Sequence, residues 1–331
     1  MGTSVPGVAT IGVDVGGTKV AGALGDVAGG IIARCTVPTW PGDGGPGGLD
    51  ALLAVIGQLR ADAAARGLIV GAVGVGVPGI MRHREGVVVL APNLYWREYP
   101  LGQILTERLG LPVALDNDTN LAALGEARAG AGRGIASFFG LFIGTGVGAG
   151  VVLHDRLWHG AHEAAGEIGY ALMDAANLTR TYPDFGALEL VIAGRSIAAR
   201  AATALAESAL SSSLREIGAP PDAVAVFRAA RAGDVVATAV MSEVLDMLAR
   251  ALAAVTMTLD PHRIVLGGSV GLALAPWYDA ILARLTDRIP FVPTLVPAAL
   301  GDDAPLHGAL ALARERLGGN STTKPSGDES G

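Results

Sequence analysis

The sequence predicts a two-domain α/β protein with an internal duplication, on three observations. The chain has 331 residues, and at about 150 residues per domain that length points to two domains. Apolar residues make up 50% and charged residues 17%, which suffices for a large core and is far from a disordered composition. Short apolar runs ending in glycine turns alternate with stretches of helical periodicity. One strand–glycine turn–strand pattern occurs twice, about 130 residues apart, as expected if each half carries one copy.

Ile11, Val13 and Val15 alternate, Gly16-Gly17 turns, and an apolar run resumes at Val20, so residues 11–24 read as a β-hairpin. Gly42 to Gly48 reads as a Gly/Pro loop, and Leu49 to Arg66 as a helix stopped by Gly67. Leu68 to Val77 is a buried strand ending at Pro78-Gly79. Leu101 to Leu109 is a short helix, ended by Gly110 and Pro112. Val113 to Leu115 is a strand running into Asp116-Asn117-Asp118-Thr119-Asn120, with a helix from about Leu121 to Ala129. Phe142 to Leu153 repeats the opening hairpin, again with a Thr among the glycines. Helices are expected at about Ser196 to Leu214, Ala223 to Ala232 and Val235 to Thr258, the last ended by Asp260-Pro261. Arg263 to Leu266 is a strand feeding Gly267-Gly268-Ser269, and the final helix spans about Leu306 to Leu317. Residues 319–331 are polar and Gly/Ser-rich and read as a disordered tail.

Composition narrows the function. The 24 basic and 31 acidic side chains leave a net charge of −7, against the basic face of a nucleic-acid binder. Aromatics are 5%, too few for an aromatic-lined binding face. The single cysteine, Cys35, excludes an internal disulfide and a Cys-based zinc site. With no signal-peptide pattern at the start, a cytoplasmic protein is expected. Ile135 to Leu153 is 19 residues without a charge, close to the about 20 that span a bilayer. Its five glycines make it a poor helix, and it reads as two buried strands, so no membrane partner is expected. The 48 glycines of the chain show no collagen period and are expected in turns and loops.

Four constellations can carry chemistry. In Asp14-Val15-Gly16-Gly17-Thr18-Lys19 a glycine turn lets backbone N–H groups approach an anion, and Asp14 at the strand end can hold Mg²⁺ through water. The plain alternative is a hairpin turn, and the spacing fits neither a Walker A loop nor a dinucleotide fingerprint. Gly144-Thr145-Gly146 is the same device in the second half; if the halves face each other, the two turns clamp a polyphosphate from both sides. Gly267-Gly268 would let a flat ring or a ribose lie on the backbone, or is simply a strand-to-helix turn. Asp118 can take a proton from a hydroxyl nucleophile, or merely cap the helix that follows. A helix N-terminus would also lower its pKa.

In this order, DVGGTK, GVPG, APNL, DNDTNLAALGE, GTGVGAG, GAHEAAGEIG, GALE and DPHRIVLGG resemble the ROK family (repressor, open reading frame, kinase) over about Ile11 to Leu317. These are sugar kinases and sugar-responsive repressors of the actin/hexokinase superfamily. The resemblance implies two ribonuclease-H-like α/β domains around a central cleft. The smaller would comprise residues 1–117 closed by a C-terminal helix at about 304–318, and the larger residues 118–303. It implies ATP phosphates at Asp14, Gly16, Gly17, Thr18, Lys19, Gly144, Thr145 and Gly146, and adenosine at Gly267 and Gly268. Asp118 would be the catalytic base, with Gly79, Asn93, Asn117, Asp118, Glu167 and Glu189 holding sugar hydroxyls. ATP with Mg²⁺ near Asp14 is the implied donor, a hexose or hexose derivative the acceptor, and a homodimer or homotetramer the assembly.

The chain departs from that pattern where the family has a His after GEIG and a CxCGxxGC zinc motif. Here the His position is Tyr170, Ala187 stands for a cysteine, and Ala171 to Phe185 contains neither Cys nor His. No structural zinc is expected, and Tyr170 becomes a sugar-pocket residue. His154, His159 and His162, followed by Glu163, read as loop residues, with a metal site as the alternative. The expected activity is ATP-dependent hexose phosphorylation of glucokinase type. The competing expectation is a non-catalytic sugar-binding ROK protein with an altered pocket. About ten residues precede the first strand, too few for a repressor's helix-turn-helix, and the net charge gives no support to polyphosphate as donor.

Overall fold

The computed structural model describes residues 7–40, 48–182 and 185–319. The chain divides into two units, the first comprising the described residues up to Arg128 and from Asp303 onward, the second Ala129–Asp302.

Unit 1 opens with β1 (Gly7–Val15), β2 (Lys19–Gly25), β3 (Ile31–Pro38), α1 (Gly48–Ala65) and β4 (Leu68–Val77). A small antiparallel sheet follows, made of β5 (Ile80–Arg82), β6 (Val87–Ala91) and β7 (Trp96–Tyr99). Then come α2 (Leu101–Leu109), β8 (Val113–Asn117) and α3 (Asp118–Ala129). The main sheet has the order β3-β2-β1-β4-β8, antiparallel across the hairpin and parallel at β1/β4 and β4/β8. The apolar runs of β1 and β4 are buried on both faces, the signature of a sheet covered on two sides.

Unit 2 repeats this plan. Its strands are β9 (Phe138–Ile143), β10 (Val147–Leu153) and β11 (Arg156–Leu157). The helices α4 (Glu189–Ile192), α5 (Gly194–Glu207), α6 (Ala223–Arg231) and α7 (Val235–Leu259) follow. β12 (Arg263–Gly267), α8 (Gly268–Ala273), α9 (Tyr278–Ala283) and β13 (Leu295–Pro297) complete it. The sheet order β11-β10-β9-β12-β13 reproduces that of unit 1 strand for strand, with the same antiparallel hairpin and the same parallel pairs. Val244, Leu248 and Leu252 of α7 share its buried core with Phe139 and Leu141 of β9.

The chain returns to unit 1 as α10 (Ala304–Gly319), which lies on the main sheet at very short range. A Cβ on Gly74 would stand 2.0 Å from the Ala309 carbonyl oxygen, and one on Gly12 2.8 Å from the Leu310 nitrogen. Strand glycines therefore carry part of the glycine excess, by letting a helix backbone rest on the sheet; the expectation of turns and loops alone is corrected.

Several boundaries differ from the sequence reading. α3 starts at Asp118, three residues early, and packs with unit 1, whereas the expected second domain began at residue 118. The helix expected over 196–214 stops at Glu207. There the serines take backbone donors for themselves: Ser208 Oγ accepts from the Leu210 N–H at 3.1 Å and Ser212 Oγ from the Leu214 N–H at 3.2 Å. The uncharged run over 135–153 forms β9 and β10, and no described helix is long and apolar enough to cross a membrane. The Gly/Pro loop at 42–48 falls outside the described residues except for Gly48, and so does the tail from 320.

Candidate active site

In unit 1, Asp14 lies at the end of β1, in register with Gly76 of β4, which in turn pairs with Asp116 of β8. Gly76 leaves a gap between two acids. The position its Cβ would occupy is 3.5 Å from Asp14 Oδ1 and 3.7 Å from the Cα of Asp118. The β1–β2 turn is tight, with the Gly16 N–H donating to the Lys19 carbonyl at 2.9 Å. Gly16 and Gly17 are half-buried, Thr18 and Lys19 exposed. Asn93, in the one-turn helix after β6, packs on this turn, its Cβ 3.2 Å from where a Gly17 side chain would begin.

The β8–α3 corner is tied by a local network. Asp116 is buried and accepts from the Asn117 N–H at 2.8 Å and from Asn120 Nδ2 at 2.9 Å. Asn117 Oδ1 accepts from the Thr119 N–H at 2.8 Å and the Asn120 N–H at 3.4 Å, while its Nδ2 donates to the Gly79 carbonyl at 2.9 Å. Asn117, standing before the helix, thus takes the capping position expected of Asp118, while Asp118 shares the Thr119 N–H from the first helical position. Asp118 Oδ1 accepts from the Thr119 N–H at 2.8 Å. Loss of solvation pushes the Asp118 carboxyl up from its ordinary value, with backbone N–H bonds from Thr119 and its own amide opposing. The lowering expected from the helix N-terminus is outweighed by burial. Gly79 has φ +98 and no room for a Cβ, which would meet the Leu90 carbonyl oxygen at 2.2 Å.

In unit 2, the β9–β10 turn copies the first, with the Gly144 N–H donating to the Gly146 carbonyl at 2.9 Å and Thr145 exposed. Beside it, the Gly144 carbonyl accepts from the Gly194 N–H at 2.8 Å, and the would-be Gly144 Cβ lies 3.8 Å from Ser269 Oγ. Gly267 is buried and Gly268 opens α8 with φ +73, directly against the Ile143 backbone. The turn at 144–146 and the glycines at 267–268 therefore form one surface.

Glu189 stands on the other side of that turn. Its Oε2 accepts from the Val147 N–H at 3.0 Å, and its Oε1 pairs with Arg195. The Arg195 guanidinium lies 3.3 Å above the Phe185 ring, a cation–π contact. Gly169 brings in the one-turn helix of Ile168–Tyr170: its would-be Cβ is 3.5 Å from Glu189 Oε2. Glu167 and Tyr170 flank it, both exposed. Arg195 carries no distinctive motif in the sequence; only its place six residues after Glu189 marks it. Among the described residues no group of three or more His, Cys, Asp or Glu side chains is placed to hold a metal, the segment of His154, His159, His162 and Glu163 included.

A model of the ROK family matches residues 10–316 of the chain. The chain belongs to the ROK family. This ROK protein is 33% identical over 321 residues to a glucokinase of Halalkalibacterium halodurans, covering 92% of this chain and 95% of that one. A solved ROK hexokinase of Thermus thermophilus superposes with a TM-score of 0.76 at 30% identity, covering 94% of this chain and 99% of the other. A ROK family glucokinase of Streptomyces griseus, solved with glucose and AMPPNP, superposes with a TM-score of 0.72 at 31% identity, covering 93% and 99%. The two five-stranded units of this ROK protein are the actin/hexokinase-type fold of these kinases.

Proposed function

We propose that this ROK protein transfers the γ-phosphoryl group of ATP to a hydroxyl of a hexose or hexose derivative. The observation that carries the reading is the Asp118 carboxyl. It stands at the β8–α3 corner, where Asn117 takes the capping position before the helix, and has a raised proton affinity suited to a general base. In the reaction the sugar hydroxyl gives its proton to Asp118 as its oxygen bonds to the γ-phosphorus. The bond from phosphorus to the β–γ bridging oxygen breaks, and ADP leaves.

Asp14, Gly16, Gly17, Thr18 and Lys19 are assigned to the phosphates, as are Gly144, Thr145 and Gly146, and Gly267 and Gly268 to the adenosine. An oxygen donor set with a carboxylate facing the gap at Gly76 fits Mg²⁺, which Asp14 would hold and which neutralises charge on the phosphates when bound. Gly79, Asn93, Asn117, Glu167, Tyr170 and Glu189 are assigned to the sugar. Two of these are already committed: Asn117 has one N–H left, and Glu189 spends an oxygen on the Val147 N–H. Asn117 and Glu189 therefore orient the pocket as much as they line it. Tyr170 offers a phenol where a ring nitrogen is usual, which still donates to or accepts from a hydroxyl. The relatives named glucokinase and the neighbour solved with glucose and AMPPNP support a hexose and ATP.

The test is an ADP-release assay over a panel of hexoses, N-acetylhexosamines and amino sugars, run with the wild type and Asp118→Asn. A sugar-dependent signal that the variant loses, with sugar binding retained, is expected. Equal turnover in the variant would remove Asp118 from the reaction, and sugar binding without ADP release would mark a non-catalytic sugar binder.

A further inference from the structure

We propose that Thr39 and Trp40, which follow β3, are positioning residues for the donor phosphates, acting through the backbone of the β1–β2 turn. The inference rests on the reading of that turn as a phosphate site. Three successive carbonyls of the turn are held by these two residues. The Thr39 hydroxyl donates to the Gly16 carbonyl at 2.6 Å, the Trp40 indole N–H to the Gly17 carbonyl at 2.9 Å, and the Thr39 N–H to the Thr18 carbonyl at 2.9 Å. The described peptide bonds are all trans, and in a trans peptide the C=O and the next N–H point in opposite directions. Drawing the Gly16 and Gly17 carbonyls toward β3 therefore turns the N–H groups of Gly17 and Thr18 the other way. Two successive N–H groups so presented form an anion-binding concavity.

The placement of the two side chains fits this role. Thr39 is polar yet has no exposed surface, so its hydroxyl is committed to Gly16. The Trp40 ring is braced edge-on by Tyr95, with ring centroids 5.6 Å apart at 71°. Glycine at 16 and 17 leaves the turn pliable, and a pliable turn does not select its anion-binding form by itself. Pinning it in advance avoids an ordering cost at the moment of binding. The ligand class is the charged end of a nucleoside triphosphate; Asn93, which packs on the turn through its Cβ, is the sugar-side residue through which a small effect can pass.

Thr39→Val keeps shape and removes the hydroxyl, Trp40→Phe keeps an aromatic ring and removes the N–H, and Thr39→Ser restores the donor. Calorimetric titration with MgATP and separately with glucose, alongside phosphorylation kinetics, gives the readout. Each of the first two variants is expected to weaken MgATP binding and raise its KM about tenfold, the scale of one lost hydrogen bond. Glucose affinity should stay within about twofold, and Thr39→Ser should recover the MgATP affinity. Unchanged MgATP binding, or equal losses for MgATP and glucose, would overturn the proposal; a merely structural role gives the latter. Trp40→Phe, at a half-buried position, keeps the test open if Thr39→Val does not fold. A wild type that binds no MgATP would overturn the phosphate-site reading and this proposal together, whereas an active wild type with unaffected variants overturns the proposal alone.

Discussion

The Asp118 carboxyl is set by two opposed effects, burial raising its proton affinity and the backbone N–H groups at the start of α3 lowering it, and burial prevails. Two outcomes follow. The acid limb of kcat should lie above the 3.8 of an ordinary aspartate, because the proposed base must be ionised to accept a proton; a pH–rate profile whose limb falls at or below that value would contradict the burial. A carboxyl with a raised folded pKa stabilises the fold below its unfolded value, and that contribution is lost as pH rises through the folded value. At neutral pH the ionised Asp118 therefore costs stability. Asp118→Asn should reduce kcat by about 10²–10⁴-fold while leaving the thermal midpoint at pH 7 unchanged or higher. Melting curves and turnover of the same preparation check both. The strand-to-helix corner that carries Asp118 was legible in the sequence. That Asn117 caps α3 was not, since Asp and Asn suit the position equally and only the side-chain directions decide.

Among the elements, α7 depends on one residue at its start. Asp234 accepts from the Ala237 N–H at 3.0 Å, from Ser212 Oγ at 2.9 Å, and from the Ser213 N–H at 2.7 Å and Oγ at 2.9 Å. Desolvation raises its pKa, the hydrogen bonds outweigh it, and the net shift is downward. A lowered folded pKa gives stability that is present above the unfolded value and lost as pH falls through the folded one. Asp234→Ala should therefore cost about 1–2 kcal/mol at pH 7, with the gap to wild type closing in acid; a gap independent of pH would show that the carboxylate charge is not what matters. A second test compares identical substitutions with opposite expected signs. A Cβ on Gly308 of α10 would stand 1.9 Å from the Leu121 carbonyl oxygen of α3, whereas Gly57 of α1 has nothing within 4 Å. Gly308→Ala should destabilise by about 1–3 kcal/mol and lower kcat by displacing the helix that carries Asp118. Gly57→Ala should stabilise by up to about 1 kcal/mol. Denaturant midpoints of the pair decide. Long periodic helices such as α1 and α7 were legible almost to the residue. β3 and the β5–β7 sheet were not: β3 is an edge strand with alternating half-exposed positions, and strands of three to five residues carry too little periodicity to register.

At the scale of the whole molecule, the duplication was legible because each half opens with a glycine-turn hairpin, and the matching orders β3-β2-β1-β4-β8 and β11-β10-β9-β12-β13 follow from repeating one supersecondary plan. What the sequence left open is what secures the segment between β11 and α4, where the family resemblance implies zinc and this chain lacks the cysteines. Hydrogen bonds occupy that place. Asp174 accepts from the Ala176 N–H at 2.9 Å, Asn177 Oδ1 accepts from the Asp174 N–H at 2.9 Å, and Asn177 Nδ2 donates to the Tyr182 hydroxyl at 3.0 Å. Arg250 of α7 reaches the Met173 carbonyl at 3.3 Å and the Asp174 carboxylate at 3.6 Å. A segment held by such bonds is expected to owe no folding energy to a metal, unlike one whose ligands must be loaded before it folds. Prolonged chelation followed by removal of the chelator should therefore leave the thermal midpoint unchanged, and phosphorylation should return in full on adding Mg²⁺ alone. Asn177→Ala, by contrast, should loosen the segment, seen as faster proteolysis between residues 171 and 182 with the rest of the chain protected. Stoichiometric zinc by elemental analysis, or a midpoint that falls on chelation and is recovered only with zinc, would reassign the segment to a metal site built from other ligands.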